Sequence, residues 1–454
     1  MLVSQRDTRT LLYAPESRAV SVVNAAGREV WALFESPTTP RHAAATLAGS
    51  REWNSRRATR FLQLLDALLE RGLLISGDGV SDADSGGEEE DGEEDDGGLS
   101  EIYLHLTNRC NLRCIYCYNA EFRAENTGRD ELDAGELRQL LEEAAQLGAE
   151  QVVITGGEPL LRAEDCLETA RHARTLGMSS TCLTNGTLLA AHAPEVAEAF
   201  DEVVVSVDSW REEEQQRTRP GCKLDVILRG LRNLVDADGA GVWIRPVITR
   251  CNVENLPEFA RFAAEHLHCA DFMLALCSPT SVGNVDNLDL LPEPQDYLRA
   301  LQQFHEAIID VGGSASIESA PLELAGCCGA GTGLLSIAPG GDVYPCQCLH
   351  FQDLRAGNVR EQSLQRIWSD SQRLRDFRDA EPPRFEACAD CAIRKLCPLT
   401  CRAVHYSFGE LEERFTSRMC PLARLEVEER LWRRAEQCGS DDTGEIPHPS
   451  EGTA

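Results

Sequence analysis

Nineteen of the 454 residues are cysteines, and ten of them fall into two groups whose spacing suits metal chemistry. In Cys110-Asn-Leu-Arg-Cys114-Ile-Tyr-Cys117 three thiols share one short loop. Thiolates spaced this way can wrap a single centre, and three of them leave a four-iron cluster with one iron open. Zinc is the competing reading, but a closed structural zinc site wants four ligands, and neither a histidine nor a fourth cysteine stands nearby at the usual spacing. The second group is a series of seven: Cys328, Cys346, Cys388, Cys391, Cys397, Cys401 and Cys420. Its closely spaced pairs alone would also suit a zinc ribbon.

The N-terminus, MLVSQRDTRT, has no apolar signal region, and no run of about 18 apolar residues could span a bilayer. The chain is therefore expected to be cytoplasmic, with no membrane partner. Structural disulfides are rare there, so clustered cysteines read as ligands or catalytic thiols. A net charge of −31 disfavours a nucleic-acid partner.

These residues need a scaffold. From residue 99, candidate strands at 102–107, 151–155, 180–184, 202–208, 242–248 and 271–277 alternate with helical stretches such as 133–147, 164–176 and 224–237. Six β-then-α units predict an α/β domain with a parallel sheet, open or closing into a partial barrel, and chemistry at the carboxyl ends of the strands. The three-cysteine loop follows the first strand. Gly156-Gly157-Glu158-Pro159, Thr184-Asn185-Gly186 and Ser206-Val207-Asp208 end the next three. After about residue 320 the alternation gives way to Cys, Gly and Pro.

Residues 77–98 carry 11 acidic residues and no basic ones, the composition of an extended disordered linker. Residues 1–76 read as a small α+β module with a hairpin of runs 10–15 and 19–23. A helix capped by Asn24 runs through Val30, Trp31 and Phe34, and a second starts at Thr39-Pro40. A third, 55–71, carries Phe61, Leu64, Leu65, Leu68 and Leu69 on one face. A hairpin with three helices is winged-helix-like. This module has net charge +3, against −11 for the linker and −23 for residues 99–454.

The three-cysteine loop at a strand's carboxyl end, followed by these motifs in this order, resembles the radical S-adenosylmethionine (radical SAM) enzymes over roughly residues 99–420. The resemblance implies a partial (β/α)6 TIM-like barrel over 99–320. It implies that Cys110, Cys114 and Cys117 hold a 4Fe–4S cluster whose open iron chelates S-adenosylmethionine. Tyr116 would contact the adenine, and the Gly156, Gly157 and Glu158 edge would hold the methionyl amino group. Asn185, Ser206 and Asp208 would complete the cofactor site, with Arg217 or Arg219 near its carboxylate and Leu276 at the adenine. The implied chemistry is one-electron cleavage of the sulfonium to a 5′-deoxyadenosyl radical that abstracts hydrogen, fed by a small electron donor such as flavodoxin or ferredoxin.

The seven-cysteine series, with four residues between Gly341 and Cys346, resembles the SPASM domain, placed over 321–438 with a disordered tail at 439–454. That implies two auxiliary 4Fe–4S clusters, three clusters in all. Carried over residue by residue, Cys328, Cys346 and Cys401 fall on one cluster, and Cys388, Cys391, Cys397 and Cys420 on the other. The first lacks a fourth ligand. Cys327 or Cys348 would complete it, or the site is open for substrate. Gln347 stands where sulfatase-maturing relatives place an aspartate base, and a neutral amide cannot take a proton at neutral pH.

The first 76 residues resemble PqqD-like chaperones, the recognition element for ribosomally made precursor peptides. A leader would then add as a strand beside Ala19, Val20, Ser21, Val22 and Val23 and pack on the third helix. DNA binding is the competing use of such a fold. The combined expectation is a maturase that installs a cross-link, thioether or carbon–carbon, or another oxidative modification in a precursor peptide. Quinone or small-cofactor biosynthesis and a non-enzymatic peptide-binding or electron-carrying scaffold are the alternatives. Cys166, Cys182, Cys222, Cys251, Cys269 and Cys438 read as packed thiols, Cys277 as the one nearest the cavity, and His105 as a barrel-interior residue.

Overall fold

The computed structural model describes residues 2–6, 9–14, 19–34, 38, 42–43, 46, 61, 65, 68–69, 74, 98–120, 128, 130–277, 282–317, 328–380, 385–394, 396–397, 401–408 and 411–438. The acidic stretch 77–97 and the tail 439–454 lie outside them. So do Cys327 and most of the expected second and third helices of the N-terminal module. The chain divides into two compact units: 1–93 with 386–397 and 423–454, and 94–385 with 398–422.

In the first unit β1 (Leu2–Arg6), β2 (Arg9–Ala14) and β3 (Ala19–Asn24) form an antiparallel sheet in that order. The expected hairpin is its β2–β3 half. Strand β1 is an addition, paired from Leu2 opposite Tyr13 to Arg6 opposite Arg9. Helix α1 (Ala25–Ala32) follows β3 directly. Leu12, Val23, Val30, Trp31, Phe61, Leu65 and Leu68 form one buried cluster, so three of the five apolar residues expected on the third helix face a core. Leu69 does not: it is 40% exposed. Trp432, fully buried, donates its indole N–H to Ser4 Oγ at 3.0 Å.

The second unit contains a sheet whose parallel strands follow chain order. They are β4 (Glu101–Thr107), β5 (Gln151–Gly156), β6 (Ser179–Thr184), β7 (Glu202–Val205), β8 (Gly241–Ile244), the short β9 (Val247–Ile248), β10 (Asp271–Leu276) and β11 (Ser314–Ile317). Beyond β4 the sheet continues through β12 (Leu334–Ile337), parallel to β4, and antiparallel β13 (Asp342–Tyr344) and β14 (Gly357–Asn358). The six expected strands are present. Two differ in extent: β7 ends at Val205, three residues early, and 242–248 is broken between β8 and β9. Pro246 lies in the break, where it has no N–H for a ladder. Strands β11 and β12 lengthen the sheet at each end past the expected six.

Apolar runs such as Val152–Val153–Ile154 and Val203–Val204–Val205 are buried, as strands covered on both faces require. Helix α2 (Ala134–Gln146) buries Leu137, Leu140, Leu141 and Ala144, one face at helical spacing. A reciprocal capping box of Asp133 and Glu136 fixes its start. Helices α3 (Ala163–Thr175), α4 (Leu189–Ala199), α5 (Glu212–Thr218) and α6 (Leu224–Ala237) complete the connections that matter for the site. Among the described residues no helix is long and apolar enough to cross a membrane.

Candidate functional site

Consecutive parallel strands bring their carboxyl ends to one edge, and the cysteine loop is tied to that edge by backbone bonds. Gly157 N–H donates to Thr107 O at 2.6 Å and Glu158 N–H to Arg109 O at 2.9 Å. The contact is so close that a Cβ on Gly156 would lie 2.2 Å from Thr107 O, and one on Gly157 2.1 Å from Arg109 O. The glycine pair is therefore required by the strand that carries the cysteines, whatever else its edge holds. On the far side of the loop Ile115 N–H donates to Thr218 O at 3.0 Å.

Within the loop, Cys110 Sγ accepts from Leu112 N–H at 3.4 Å and from Asn185 Nδ2 at 3.8 Å. Asn185 also donates to Asn111 Oδ1 at 2.9 Å. Cys114 Sγ accepts from Arg219 Nη1 at 3.9 Å. Burial pushes the Cys114 thiol up to about 11, Arg219 opposes this, and Cys117, Asp208 and Cys110 add to it. The three thiols thus share one electrostatic neighbourhood, each half-buried and in no disulfide. Among the described residues no three His, Cys, Asp or Glu side chains converge tightly enough for a single ion. Three half-buried thiols with an arginine beside them fit a larger, anionic cluster with one corner unliganded.

Asp208, 1% exposed, is the hub of the neighbouring site. It accepts from Arg219 Nε and Nη2, each at 3.0 Å, from Thr218 Oγ1 at 2.6 Å, from Val247 N–H at 3.0 Å and from the Tyr116 hydroxyl. Its backbone is fixed by Gln215 and Asn252 side chains. Arg219 also lies over the Tyr116 ring, 5.5 Å from its centroid. Burial works against the arginine's charge, but Asp208 more than offsets it and holds the guanidinium well above its ordinary pKa. The Tyr116 hydroxyl is pushed up, by burial first. Arg217 is exposed on α5, so of the two candidate arginines only Arg219 reaches this constellation.

Glu158 is fully buried and accepts from Leu160 N–H (3.1 Å), Thr184 Oγ1 (2.8 Å) and Asn185 N–H (2.8 Å). It staples the ends of β5 and β6, and burial raises its pKa to about 7 against those bonds. Ser206 N–H donates to Thr184 O at 2.9 Å, and half-buried Leu276 ends β10. The carrying partners that sequence reasoning missed are Thr218, Gln215, Asn252 and Asn111. Thr218 and Gln215 are a helical turn apart on α5, but a polar i, i+3 pair is too common to point to a site.

Cys328, Cys346 and Cys401 come together against Ala330, Leu349, Leu354 and Ala403, and Cys348 joins them. Cys388, Cys391 and Cys397 belong to the first compact unit and Cys420 to the second. On β3, Ser21 and Val23 are buried and Val20 and Val22 half-buried, the alternation of an edge strand with one covered face, while the side chain of Ala19 lies outside the described residues. His105, expected in the interior of a barrel, is wholly buried on β4, its ring 4.5 Å from that of His350.

Residues 104–263 match the model of the radical SAM superfamily, and 327–392 that of the SPASM iron-sulfur cluster-binding domain. The mycofactocin maturase MftC of Mycobacterium tuberculosis is 30% identical over 67% of this chain and 78% of its own. The AdoMet-dependent heme synthase of Methanosarcina barkeri is 30% identical over 67% and 92%. The PqqA peptide cyclase of Xanthomonas oryzae pv. oryzae is 30% identical over 65% and 80%. In fold, the chain is similar to Streptococcus suis SuiB bound to its precursor peptide SuiA, with TM-score 0.57 and 17% identity over 88% of this chain and 96% of that one. The chain is a radical SAM enzyme: it belongs to the radical SAM superfamily and carries a SPASM domain, with S-adenosylmethionine and 4Fe–4S clusters as its cofactors.

Proposed function

We propose that this enzyme matures a ribosomally made precursor peptide, taking hydrogen from an unactivated carbon and forming a thioether or carbon–carbon cross-link or a related oxidative product. The observation that carries this reading is the reach of the SuiB likeness. Residues 77–454 are only 83% of the chain, so a match over 88% must run into the first 76 residues. There β3 lies at the edge of a three-stranded sheet, the geometry in which a leader adds as a further strand. On this reading residues 1–76 are a winged-helix-like, PqqD-like recognition module, Ala19 to Val23 dock the leader, 77–98 tether the module, 99–320 are a partial (β/α)6 barrel and 321–438 the SPASM domain.

When bound, the cluster and S-adenosylmethionine supply a 5′-deoxyadenosyl radical. Cys110, Cys114 and Cys117 would hold that cluster. Arg219, fixed by Asp208, places a permanent cation beside Cys114, where it favours a bound carboxylate. Tyr116, stacked under Arg219, offers a ring face to the adenine, and the Gly156, Gly157 and Glu158 edge, with Asn185, Ser206 and Leu276, completes the cofactor's walls. Two auxiliary clusters, on the cysteine sets expected above, bring the total to three. A small flavodoxin- or ferredoxin-like donor would reduce them, in the cytoplasm.

Co-expression with short peptides encoded beside this gene, followed by mass spectrometry, tests the reading. The expected product has lost the mass of two hydrogens, and removal of residues 1–76 abolishes it. A peptide returned unchanged in mass and stereochemistry, while S-adenosylmethionine is cleaved, sinks it. The heme synthase match favours a small-molecule substrate as second reading, under which the truncated enzyme stays active.

A further inference from the structure

The cluster assigned to Cys328, Cys346 and Cys401 has three ligands by family pattern, and the cysteine that some relatives place between the first two has no counterpart in this chain. The structure nevertheless gathers four thiols there. Cys348 packs on the same apolar patch of Ala330, Leu349, Leu354 and Ala403 as the other three. Its backbone N–H donates to Cys346 Sγ at 3.5 Å, and its thiol hydrogen-bonds that of Cys346. Cys401 lies within electrostatic reach of both Cys348 and Cys328. None of the four is in a disulfide, and all are half-buried.

We propose that Cys348 is the fourth thiolate of this auxiliary cluster, completing a Cys328–Cys346–Cys348–Cys401 set supplied wholly by the chain. The inference rests on the auxiliary-cluster reading above and goes further. A cluster with every iron ligated by the protein has no corner for substrate to bind, which leaves it to exchange electrons without contact. Tyr118 lies within electrostatic reach of both Cys348 and Cys117, so one half-buried aromatic side chain is near both this centre and the radical SAM loop. Of the two neighbouring cysteines that the sequence offers as the fourth ligand, Cys348 stands one residue beyond Cys346-Gln347, in the turn that follows β13.

The test uses the full chain with Cys110, Cys114 and Cys117 changed to alanine, reconstituted anaerobically, so that only auxiliary iron remains. Iron is counted, and EPR spectra of the oxidised and the reduced protein are recorded with and without imidazole, with Cys348→Ala and, as a buried-thiol control, Cys166→Ala added in turn. The expected parent binds about eight iron and ignores imidazole, whereas C348A loses about half its iron or shows a three-iron signal, and C166A matches the parent. A parent spectrum shifted by imidazole, or a C348A protein with parental iron and spectrum, overturns the proposal and leaves the auxiliary-cluster reading standing. A parent with no auxiliary iron overturns both. Because the imidazole response is read on the parent, a C348A protein that fails to fold does not blunt the test.

Discussion

Asp208 and Arg219 form a two-point ion pair, with both bonds at 3.0 Å and side-chain exposures of 0% and 6%. Removing one partner leaves the other charge buried, which typically costs about 3–5 kcal/mol. Asp208→Asn should therefore lower the melting temperature measurably and, by freeing Arg219 from the ring of Tyr116, weaken S-adenosylmethionine binding at least tenfold in calorimetry. Arg219→Lys keeps a charge but cannot bond both carboxylate oxygens, and should show the smaller stability loss of the two. Unchanged melting in D208N would mean that the pair is exposed in solution.

Much of this site was legible from residue types and their order, and the rest was not, for a physical reason. The strands and the glycine edge have local patterns, and Asp208 follows β7 by three residues, so the order of the motifs along the chain and the family resemblance together bring them to one sheet edge. Thr218, Asn252 and the Val247 N–H meet Asp208 only after three separate connections have folded back, and no local pattern encodes that. The break at Pro246 was legible in principle, since proline cannot donate. Strand β1 was not: Leu-Val-Ser-Gln-Arg is too short to separate from coil without β2 beside it.

Gly157 and Gly177 separate steric from conformational demands. Gly157 has no positive φ, so Gly157→Ala fails purely because its Cβ would meet Arg109 O at 2.1 Å. Gly177 has φ +80 with nothing within 4 Å, so Gly177→Ala should cost only about 1–2 kcal/mol of backbone strain. The variants should split in iron content after reconstitution. G157A, whose cysteine loop is displaced, should lose about four iron per chain, while G177A keeps the parental count. Equal iron in both would show that the loop is not held by this contact.

Glu158 should make stability fall as pH rises. Its folded pKa of about 7 exceeds the ordinary 4.5, so between those values the folded chain holds the extra proton. The stabilisation is present below 4.5 and lost as pH passes through 7. Glu158→Gln cannot titrate and should flatten this part of the profile in denaturant titrations. Its amide N–H₂, set against donors from Leu160, Thr184 and Asn185, should also cost about 1–3 kcal/mol near neutrality. An unaltered slope would place the carboxylate in water.

His105 acts in the opposite direction. It is completely buried, neither ring nitrogen has a hydrogen-bond partner among the described residues, and burial lowers its pKa to about 3 from the ordinary 6.5. Over that window the unfolded chain binds the extra proton, so this group's contribution is present above 6.5 and lost on acidification. His350, 4.5 Å away and stacked on Tyr344, is depressed for the same reason, by burial and then by His105. Between about 4.5 and 6.5 the histidines and Glu158 oppose one another, and from 6.5 to 7 the glutamate acts alone. His105→Phe removes one titrating ring and two unsatisfied nitrogens while keeping an aromatic in contact with His350. It should therefore match or exceed parental stability at pH 8 and lose less than the parent as pH falls from 7 to 5.5, measured by urea unfolding of both proteins. A variant that is less stable at pH 8 and keeps the parental acid slope would show that the His105 nitrogens are satisfied by a bound group in solution.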